Sequence, residues 1–433
     1  MAGIFGVVSE ENCIEDAFYG TFYLQHRAQE YCGMALDNSK TLENITHKGL
    51  IKQQFTKDIR NNLSAYSAIG VVSSDRQPVS GLSRAGGMLL GFDGNLINYQ
   101  QLKDKLLKEG VSFDGYHNPE KVTDTIIVSK IISSELNFEE GVERLVNDIQ
   151  GDFSIISLSR QSVYAARGWG RKPLILGKKD GTYAVSSESN SFVNTNFKIV
   201  RDVEPGEIIL LDKEGFHTLK KINLTPVKYG TFEWIYTAHP ASVIDGRSAV
   251  SVRKKIGMAL AKRYPVEADL VSPVPNSGRW HAIGYSEESK TPYQEVFVRY
   301  DYSDRSFTPQ EKEDRVEEGD RKLIVLEEIV NGKKIVLVDD SIVRGTQTEN
   351  QIKKLREKKV KEIHGRIACP PLMAACRYGK TTRTDDECIA RRMSVDEIRK
   401  TRGLTTLGYA TVEDLEEAIG FPREKLCLEC WGF

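Results

Sequence analysis

The chain has 433 residues, a length sufficient for two domains, and 40% of them are hydrophobic, as in globular proteins. Its 60 basic and 61 acidic side chains nearly cancel, so no overall field attracts nucleic acid or an anionic membrane. No apolar run approaches the roughly 20 residues of a membrane span. The start, MAGIFGVVSEEN, lacks the basic region and cleavage site of a secretory signal. We therefore expect a cytoplasmic protein that binds neither nucleic acid nor membranes.

Residues 1–225 carry many short strand-like runs bounded by Gly, Asp or Ser. Two longer stretches, AFYGTFYLQHRAQE and KVTDTIIVSKIISSEL, have helical character. Strands at this density predict a sandwich of sheets with helices packed outside it. The strand-like runs are GIFGVVS, SAIGVVSS, GGMLLGFDG, FSIISLS, SVYAAR, PLILG, YAVSS and GEIILLD.

Residues 226–433 have a different pattern, after a Pro- and Gly-containing boundary near residues 222–232. Helical and strand-like segments alternate, which is typical of a parallel sheet with crossover helices. The segments, in order, are the helix SVRKKIGMALAKRY, the strand ADLVSPV, the loop PNSG, the helix HAIGYSEESK, the strands QEVFVRY and KKIVLVDD, the helix TENQIKKLREKK and the strand EIHGRIA.

The stretch KIVLVDDSIVRGTQT, residues 334–348, is the strongest candidate for a ligand site. A buried parallel strand is predicted to end at Asp339 and Asp340, and ligands of α/β sheets bind at such ends. The hydroxyls of Ser341 and Thr346, a tight turn at Gly345 and the N–H groups of the next helix would favour a phosphate. The pattern indicates a sugar-phosphate site; the alternative is an ordinary strand–turn–helix with a solvated Asp pair.

The same stretch, VDDSIVRGT, resembles the 5-phosphoribosyl pyrophosphate (PRPP) motif of the glutamine PRPP amidotransferase (amidophosphoribosyltransferase) family. MAGIFGVVSE, LQHRAQEYCG, HPASVIDGRSA, PVPNSG and EKLCLECWGF resemble further family segments. The resemblance implies an α+β N-terminal half with the αββα sandwich of N-terminal-nucleophile (Ntn) hydrolases, residues 1–225. It also implies an α/β type I phosphoribosyltransferase half with a mostly parallel sheet, residues 226–433.

The resemblance assigns roles in the second half. Asp339 and Asp340 would hold the ribose hydroxyls, with Mg²⁺ nearby, and PVPNSG would face the pyrophosphate, although Asn276 replaces the family's Asp. The segment between residues 299 and 322 reads on composition alone as a solvated linker, but it resembles a family lid that closes over PRPP. The predicted catalytic residues are Asp339, Asp340, Lys322, Arg315 and Arg305; the predicted PRPP-binding residues are Ser341, Ile342, Val343, Arg344, Gly345, Thr346, Ser277 and Gly278.

The first half departs from the family where glutamine would be hydrolysed. The position of the nucleophilic Cys holds Ala2, whose methyl group cannot attack an amide. Ser73 replaces the Arg that holds the glutamine carboxylate, and Asp93 replaces the oxyanion-hole Asn before Gly94. Arg27 and Asp124 are retained. An isolated or engineered change at Ala2 alone is possible, but three changes favour a natural glutaminase domain without activity.

Seven cysteines do not form the framework of a secreted disulfide protein. Many family members carry a [4Fe–4S] cluster on four Cys, and three of those positions are Cys376, Cys427 and Cys430 here. The fourth is Gly230, although Cys369 or Cys388 could supply a replacement thiolate. Buried thiols without a cluster are the equally weighted alternative.

Two functions follow from these features. The first is phosphoribosyl transfer from PRPP to ammonia, giving 5-phosphoribosylamine and pyrophosphate in purine biosynthesis, with an inactive glutaminase half. The second is a non-catalytic regulator that binds PRPP or a nucleotide; another acceptor amine also stays open. Under either function the resemblance implies a homo-oligomer with purine nucleotides as effectors.

Overall fold

The computed structural model describes residues 1–83, 86–113, 122–300, 323–379, 382 and 384–433. The chain forms two compact units. The first comprises Met1–Gly230, Ala241–Gly246 and Arg377–Lys380, and the second comprises Thr231–Pro240, Arg247–Cys376 and Thr381–Phe433. The lid predicted from residues 299–322, with Arg305, Arg315 and Lys322, falls almost wholly outside the described residues.

Two antiparallel sheets make up the middle of the first unit. A seven-stranded sheet has the order β11-β9-β10-β1-β4-β2-β3, and a six-stranded sheet has the order β13-β12-β8-β7-β6-β5. Apolar side chains of both sheets, such as Ile4, Val71 and Ile156, interdigitate in one core, as in a face-to-face sandwich. The strands are β1 (Ala2–Val8), β2 (Tyr31–Asp37), β3 (Leu42–Lys48), β4 (Ser67–Ser73), β5 (Val79–Ser83), β6 (Gly86–Leu96), β7 (Gly151–Ser159), β8 (Ser162–Arg167), β9 (Ile175–Lys179), β10 (Thr182–Ser186), β11 (Lys198–Asp202), β12 (Glu207–Asp212) and β13 (Gly215–Lys221), with β14 (Val243–Ile244) outside both sheets.

Helices cover the outer faces of the sandwich. A second apolar cluster joins Leu90 and Phe153 of the six-stranded sheet to Ile127, Ile131 and Leu145 of the helices over it. The αββα architecture predicted for this half is therefore confirmed. The helices are α1 (Ile14–Phe22), α2 (Ile51–Gln54), α3 (Lys57–Asn61), α4 (Tyr99–Lys108), α5 (Asp124–Ser133), α6 (Phe138–Asp148) and α7 (Asn190–Val193).

The second unit is built on a parallel sheet of order β16-β19-β20-β21, as predicted for an α/β phosphoribosyltransferase-like half. Its core joins Leu270, Ile335 and Ile363 of the sheet to Ile352 and Leu355 of a helix over it. The strands are β15 (Arg247–Ser248), β16 (Leu270–Pro273), β17 (Phe297–Arg299), β18 (Leu323–Val325), β19 (Lys334–Asp339), β20 (Glu362–Ile367) and β21 (Thr406–Tyr409). The helices are α8 (Ala249–Arg263), α9 (Arg279–Ser289), α10 (Glu327–Val330), α11 (Thr346–Glu357), α12 (Val395–Thr401) and α13 (Val412–Ile419), with a π-helix at Glu233–Thr237 and 3₁₀ turns at Asp385–Glu387, Ile389–Arg391, Arg423–Lys425 and Glu429–Trp431.

Several details differ from the sequence expectations. The first helix ends at Phe22, so the LQHRAQE stretch, which its pattern predicted to be helical, lies outside it. The QEVFVRY strand lies outside the parallel sheet, because β17 pairs antiparallel with β18. The elements that the sequence did not predict include strands β2, β3 and β21 and helices α4, α6 and α13. Within the described ranges no helix is long and apolar enough to cross a membrane.

Candidate functional site

The carboxyl end of β19 places two acidic side chains next to each other. Residues Ile335–Val338 are buried in the sheet, and the strand ends at Asp339. The backbone N–H of Asp340 donates to Asp339 Oδ1 at 2.9 Å, and the Ala368 N–H donates to the Asp339 carbonyl oxygen at 2.9 Å. Asp340 itself is buried. The sheet therefore presents a fixed pair of carboxyl groups rather than a solvated one.

The loop after β16 lies against this pair. The Ser277 hydroxyl donates to Asp339 Oδ1 at 3.3 Å. A Cβ on Gly278 would come within 2.2 Å of the Val338 carbonyl oxygen, so only glycine allows the loop to approach β19 this closely. The structure thus brings Ser277 and Gly278 together with both carboxyl groups, at neighbouring parallel strand ends where ligands bind.

The loop after Asp340 leads directly into α11. The Ser341 hydroxyl donates to Asp340 Oδ2 at 2.8 Å, and Gly345 takes a left-handed conformation, φ +77°, just before the helix begins at Thr346. The first backbone N–H groups of a helix have no intrahelical partner and carry a partial positive charge. This turn can therefore receive an anionic group such as a phosphate.

Three predicted binding residues of this loop have other contacts. The Ile342 side chain is buried and lines a small internal cavity with Leu337. The Val343 carbonyl oxygen accepts a hydrogen bond from the Ile389 N–H at 2.8 Å. Arg344 forms an ion pair with Glu387 at 2.7 Å. These contacts hold the loop in shape, so any ligand contact from Ile342 or Val343 would come from the backbone.

The carboxyl pair is electrostatically unfavourable without a cation. Burial, and then the neighbouring Asp340, raise the pKa of Asp339 well above its usual range. A cation or a set of hydroxyl donors would relieve this repulsion. The arrangement fits a polyhydroxylated ligand, a hard cation, or both.

The first unit contains a buried cluster of charges around Ala2. The Ala2 N–H donates to Asp93 Oδ1 at 2.9 Å, and Arg27 donates to Asp93 Oδ2 at 3.0 Å and to Glu188 Oε1 at 2.6 Å. The Lys172 ammonium lies 3.7 Å from Asp93 Oδ1. Two buried acids are thus balanced by two buried bases.

This cluster determines the charge of Asp93. Burial alone would raise the pKa of Asp93, but Lys172 and Arg27 lower it to about 2. The Glu188 carboxylate is held on its other side by Ser242 at 2.7 Å and by the ring of His26 at 2.8 Å. Lys172 and Glu188 were not singled out in the sequence, because only the fold brings residues so far apart in the chain together.

The other predicted glutaminase positions also make hydrogen bonds or close packing contacts. The Ser73 hydroxyl donates to the carbonyl oxygen of Asp75. Asp124 Oδ2 accepts from the Leu96 N–H at 3.3 Å. A Cβ on Gly94 would meet the carbonyl oxygen of residue 152 at 2.5 Å, so this glycine is required by packing.

Comparisons with known proteins agree along the whole chain. Residues 65–194 match the family model described as a glutamine amidotransferase domain. The amidophosphoribosyltransferase of Methanocaldococcus jannaschii is 34% identical over 99% of this chain and 96% of its own length. The chloroplastic amidophosphoribosyltransferase of Glycine max is 32% identical over 99% of this chain and 77% of its own length. The solved glutamine PRPP amidotransferase of B. subtilis, complexed with ADP and GMP, has a TM-score of 0.90 and 32% identity over 99% of this chain and 96% of that one. A structure described as the allosteric regulatory enzyme of purine biosynthesis has a TM-score of 0.91 and 32% identity, over 99% of this chain and 95% of that one.

Proposed function

The chain belongs to the amidophosphoribosyltransferase family, and we propose that its second half, residues 226–433, transfers the phosphoribosyl group of PRPP to free ammonia. The C–O bond to pyrophosphate breaks, a C–N bond forms, and the nitrogen loses a proton to give 5-phosphoribosylamine. The observation that carries this proposal is the carboxyl pair Asp339–Asp340 beside the start of α11.

The residues of the site have complementary tasks. Asp339 and Asp340 accept hydrogen bonds from the ribose hydroxyls, and the turn from Ser341 to Thr346 binds the 5′-phosphate through backbone N–H groups. Ser277 and Gly278 face the pyrophosphate. Positive charge that builds on the ribose in the transition state is stabilised by the nearby carboxylates. The family resemblance assigns Arg305, Arg315 and Lys322, which lie outside the described residues, to the pyrophosphate as negative charge develops on it.

Magnesium fits the donor set at this strand end. Mg²⁺ prefers oxygen ligands and is commonly bound by one or two carboxylates together with substrate phosphates. Asp339 and Asp340 supply such oxygens, and a cation beside them would offset the burial and the neighbouring carboxylate that raise the pKa of Asp339. When bound, the ion would neutralise charge on the pyrophosphate leaving group.

The first half, residues 1–225, supplies no ammonia in this proposal. Ala2 has no nucleophile, and its N–H is bonded to the carboxylate that stands at the oxyanion position. Asp93 stays ionised because Lys172 and Arg27 lower its pKa to about 2, so it would repel a developing oxyanion. Ser73 cannot replace an Arg that binds a carboxylate.

A direct assay separates the possible functions. The purified chain is incubated with PRPP and Mg²⁺, with either ammonium or glutamine, and pyrophosphate release is measured. We expect release with ammonium and none with glutamine. Release with glutamine, after contaminating activity is excluded, would contradict the inactive glutaminase.

A non-catalytic regulator is the second candidate. It is favoured by the B. subtilis relative, which was solved with ADP and GMP, because nucleotides and PRPP share a ribose 5-phosphate. This function predicts no pyrophosphate release with any amine, while PRPP or a purine nucleotide still raises the melting temperature. Homo-oligomerisation stays a prediction from the family resemblance.

A further inference from the structure

An open cleft lies at one edge of the sandwich in the first unit. The edge strands of the two sheets, β3 and β5, come together there, and the Asn44 side chain of β3 donates to the carbonyl oxygen of Pro78, just before β5, at 2.9 Å. The cleft has a volume of about 340 Å³ and is also lined by residues of β6 and α5. This volume is at the lower end of the range for small-molecule sites, roughly 300–1,000 Å³.

One part of the cleft is apolar and open. Leu82 of β5 is 85% exposed, and its partner across the β5–β6 pair is Gly87. A Cβ on Gly87 would meet only Leu42 Cδ1, at 3.8 Å, so the space beside this glycine is unfilled by the described residues. An apolar group bound here would remove exposed hydrocarbon from water, which is favourable. The apolar side chains that line the cleft are those of Leu42, Leu82, Met88 and Leu89.

A buried hydroxyl of α5 faces the same cleft. The Ser129 side chain is 2% exposed, and its Oγ has no hydrogen-bond partner among the described residues. A Cβ on Gly81, which lines the cleft, would lie 2.8 Å from Ser129 Oγ and 3.0 Å from Met88 Cε. The missing side chain at Gly81 therefore leaves the hydroxyl directed at the cleft. A buried polar group without a partner costs free energy, which a ligand oxygen at this place would restore.

The next residue of α5 brings a positive charge to the cleft. Lys130 is half-buried and lines the cleft, and its ammonium forms no ion pair with a carboxylate of the described residues. The Ser133 hydroxyl, one turn further along α5, donates to the Lys130 carbonyl oxygen at 3.3 Å. No acidic side chain of the described residues lines the cleft. This polar end therefore favours an anion over a cation.

We propose that this cleft binds a small monocarboxylate with an apolar tail, its carboxylate held by Lys130 and Ser129 and its tail by the leucine and methionine side chains. The ammonium donates a charge-assisted hydrogen bond to one carboxylate oxygen, and the hydroxyl donates to the other. The tail covers the exposed side chain of Leu82 and fills the space beside Gly87. This inference concerns the first unit alone and does not depend on the proposed transfer reaction.

The test follows the binding of octanoate to the full-length protein by NMR of methyl-labelled methionine. The chain has six methionines, and the Met88 signal is identified by its absence from the spectrum of Met88→Leu. We expect octanoate to shift the Met88 signal to a saturable end point in the wild type. Octanol, which has the same tail without the charge, should bind more weakly than octanoate.

Lys130→Gln tests the charge, and Lys108→Gln, at an exposed lysine of α4, is its matched control. We expect Lys130→Gln to weaken octanoate binding about tenfold, as the loss of one charge-assisted hydrogen bond implies, and to leave octanol binding unchanged. Lys108→Gln should bind both compounds like the wild type. Equal affinity of Lys130→Gln and the wild type for octanoate, or octanol binding as tight as octanoate binding, would overturn the proposal.

Gly87→Leu tests the place of the tail independently. Its side chain enters the open space beside Leu42, so we expect a melting temperature like that of the wild type and no octanoate-dependent shift of the Met88 signal. A wild type whose Met88 signal does not move with octanoate would overturn the proposal. The same holds if a second copy of the chain covers the cleft. In that case octanoate would not bind the wild type, and sedimentation would show a smaller oligomer for Gly87→Leu.

Discussion

At the scale of single residues, Asp340 is the most direct test of the phosphoribosyl site. Asp340→Asn keeps the size of the side chain but removes one charge from the buried pair. We expect pyrophosphate release with ammonium to fall roughly 100-fold, because charge stabilisation at the reacting ribose and Mg²⁺ is weakened. Asp396→Asn, which alters an exposed carboxylate paired with Arg399, should leave the rate unchanged.

The activity of Asp340→Asn is interpreted only after its folding has been checked. Circular dichroism and the melting temperature should show that Asp340→Asn is folded, because the Asn oxygen can still accept from Ser341. A folded Asp340→Asn protein with the wild-type rate would remove this carboxylate from the proposed reaction.

Asp93 gives a prediction about stability and pH. Its pKa is about 2 in the folded protein, below the ordinary value of 3.8, so ionised Asp93 stabilises the fold above about pH 4. This contribution is lost as the pH falls through the folded pKa. We expect the stability advantage of the wild type over Asp93→Asn to shrink by about 1 kcal/mol between pH 5 and pH 3.

The measurement is urea unfolding of both proteins at the two pH values. At pH 5 we expect Asp93→Asn to be less stable by about 3 kcal/mol, because Arg27 and Lys172 lose a buried counter-charge. Asp180→Asn, at an exposed turn of the same unit, serves as the control. If the difference in unfolding free energy between the wild type and Asp93→Asn were the same at both pH values, the lowered pKa of Asp93 would be contradicted.

At the scale of elements, helices α8 and α9 pack unusually closely. A Cβ on Gly257 would meet the His281 carbonyl oxygen at 1.9 Å, and one on Gly284 would meet that of Lys254 at 2.0 Å. Gly257→Ala must therefore push the helices apart, which outweighs the helix propensity of Ala. We expect the free energy of unfolding to fall by about 1–3 kcal/mol.

Ser251→Ala is the matched control, because Ser251 lies on the exposed face of the same helix. It should change stability only slightly. An unchanged or higher stability of Gly257→Ala in urea unfolding would show that the contact is less strict than the structure indicates.

Much of the fold followed from periodicity, and the exceptions have physical causes. Buried runs such as Ile335–Val338 identify their strands, because continuous apolar β-branched residues suit a sheet covered on both faces. Strand β21 has only four residues, too few for a strand pattern to be recognised in the sequence. Strand β17 was recognised, but its partner β18 could not be, because pairing depends on contacts across an intervening segment.

The two candidate sites also differ in how far the sequence alone could predict them. Asp339 and Asp340 are adjacent in the chain, so their pattern was visible in the sequence. The Asp93 cluster joins Arg27, Lys172 and Glu188 from widely separated segments, and no spacing rule reveals such a group. The departures at Ala2 and Asp93 predicted lost chemistry, and the structure adds that Asp93 is held by ion pairs with Arg27 and Lys172.

At the scale of the whole molecule, the chain should transfer nitrogen from ammonium but not from glutamine, and a thiol at position 2 should not change this. In Ala2→Cys the backbone N–H of position 2 would still be bonded to the Asp93 carboxylate, whose negative charge opposes a developing oxyanion. Ser73 would still leave the glutamine carboxylate without an Arg. We expect no glutamate release, and ammonium-dependent pyrophosphate release equal to that of the wild type.

Both activities are measured on the same preparation, with the B. subtilis relative as the reference for glutamine use. The double variant Ala2→Cys with Asp93→Asn asks whether the carboxylate alone blocks the thiol. We expect it also to release no glutamate, because Ser73 remains. Glutamate release by Ala2→Cys alone would mean that position 2 is the only lesion and that the buried ion pairs are compatible with glutamine hydrolysis.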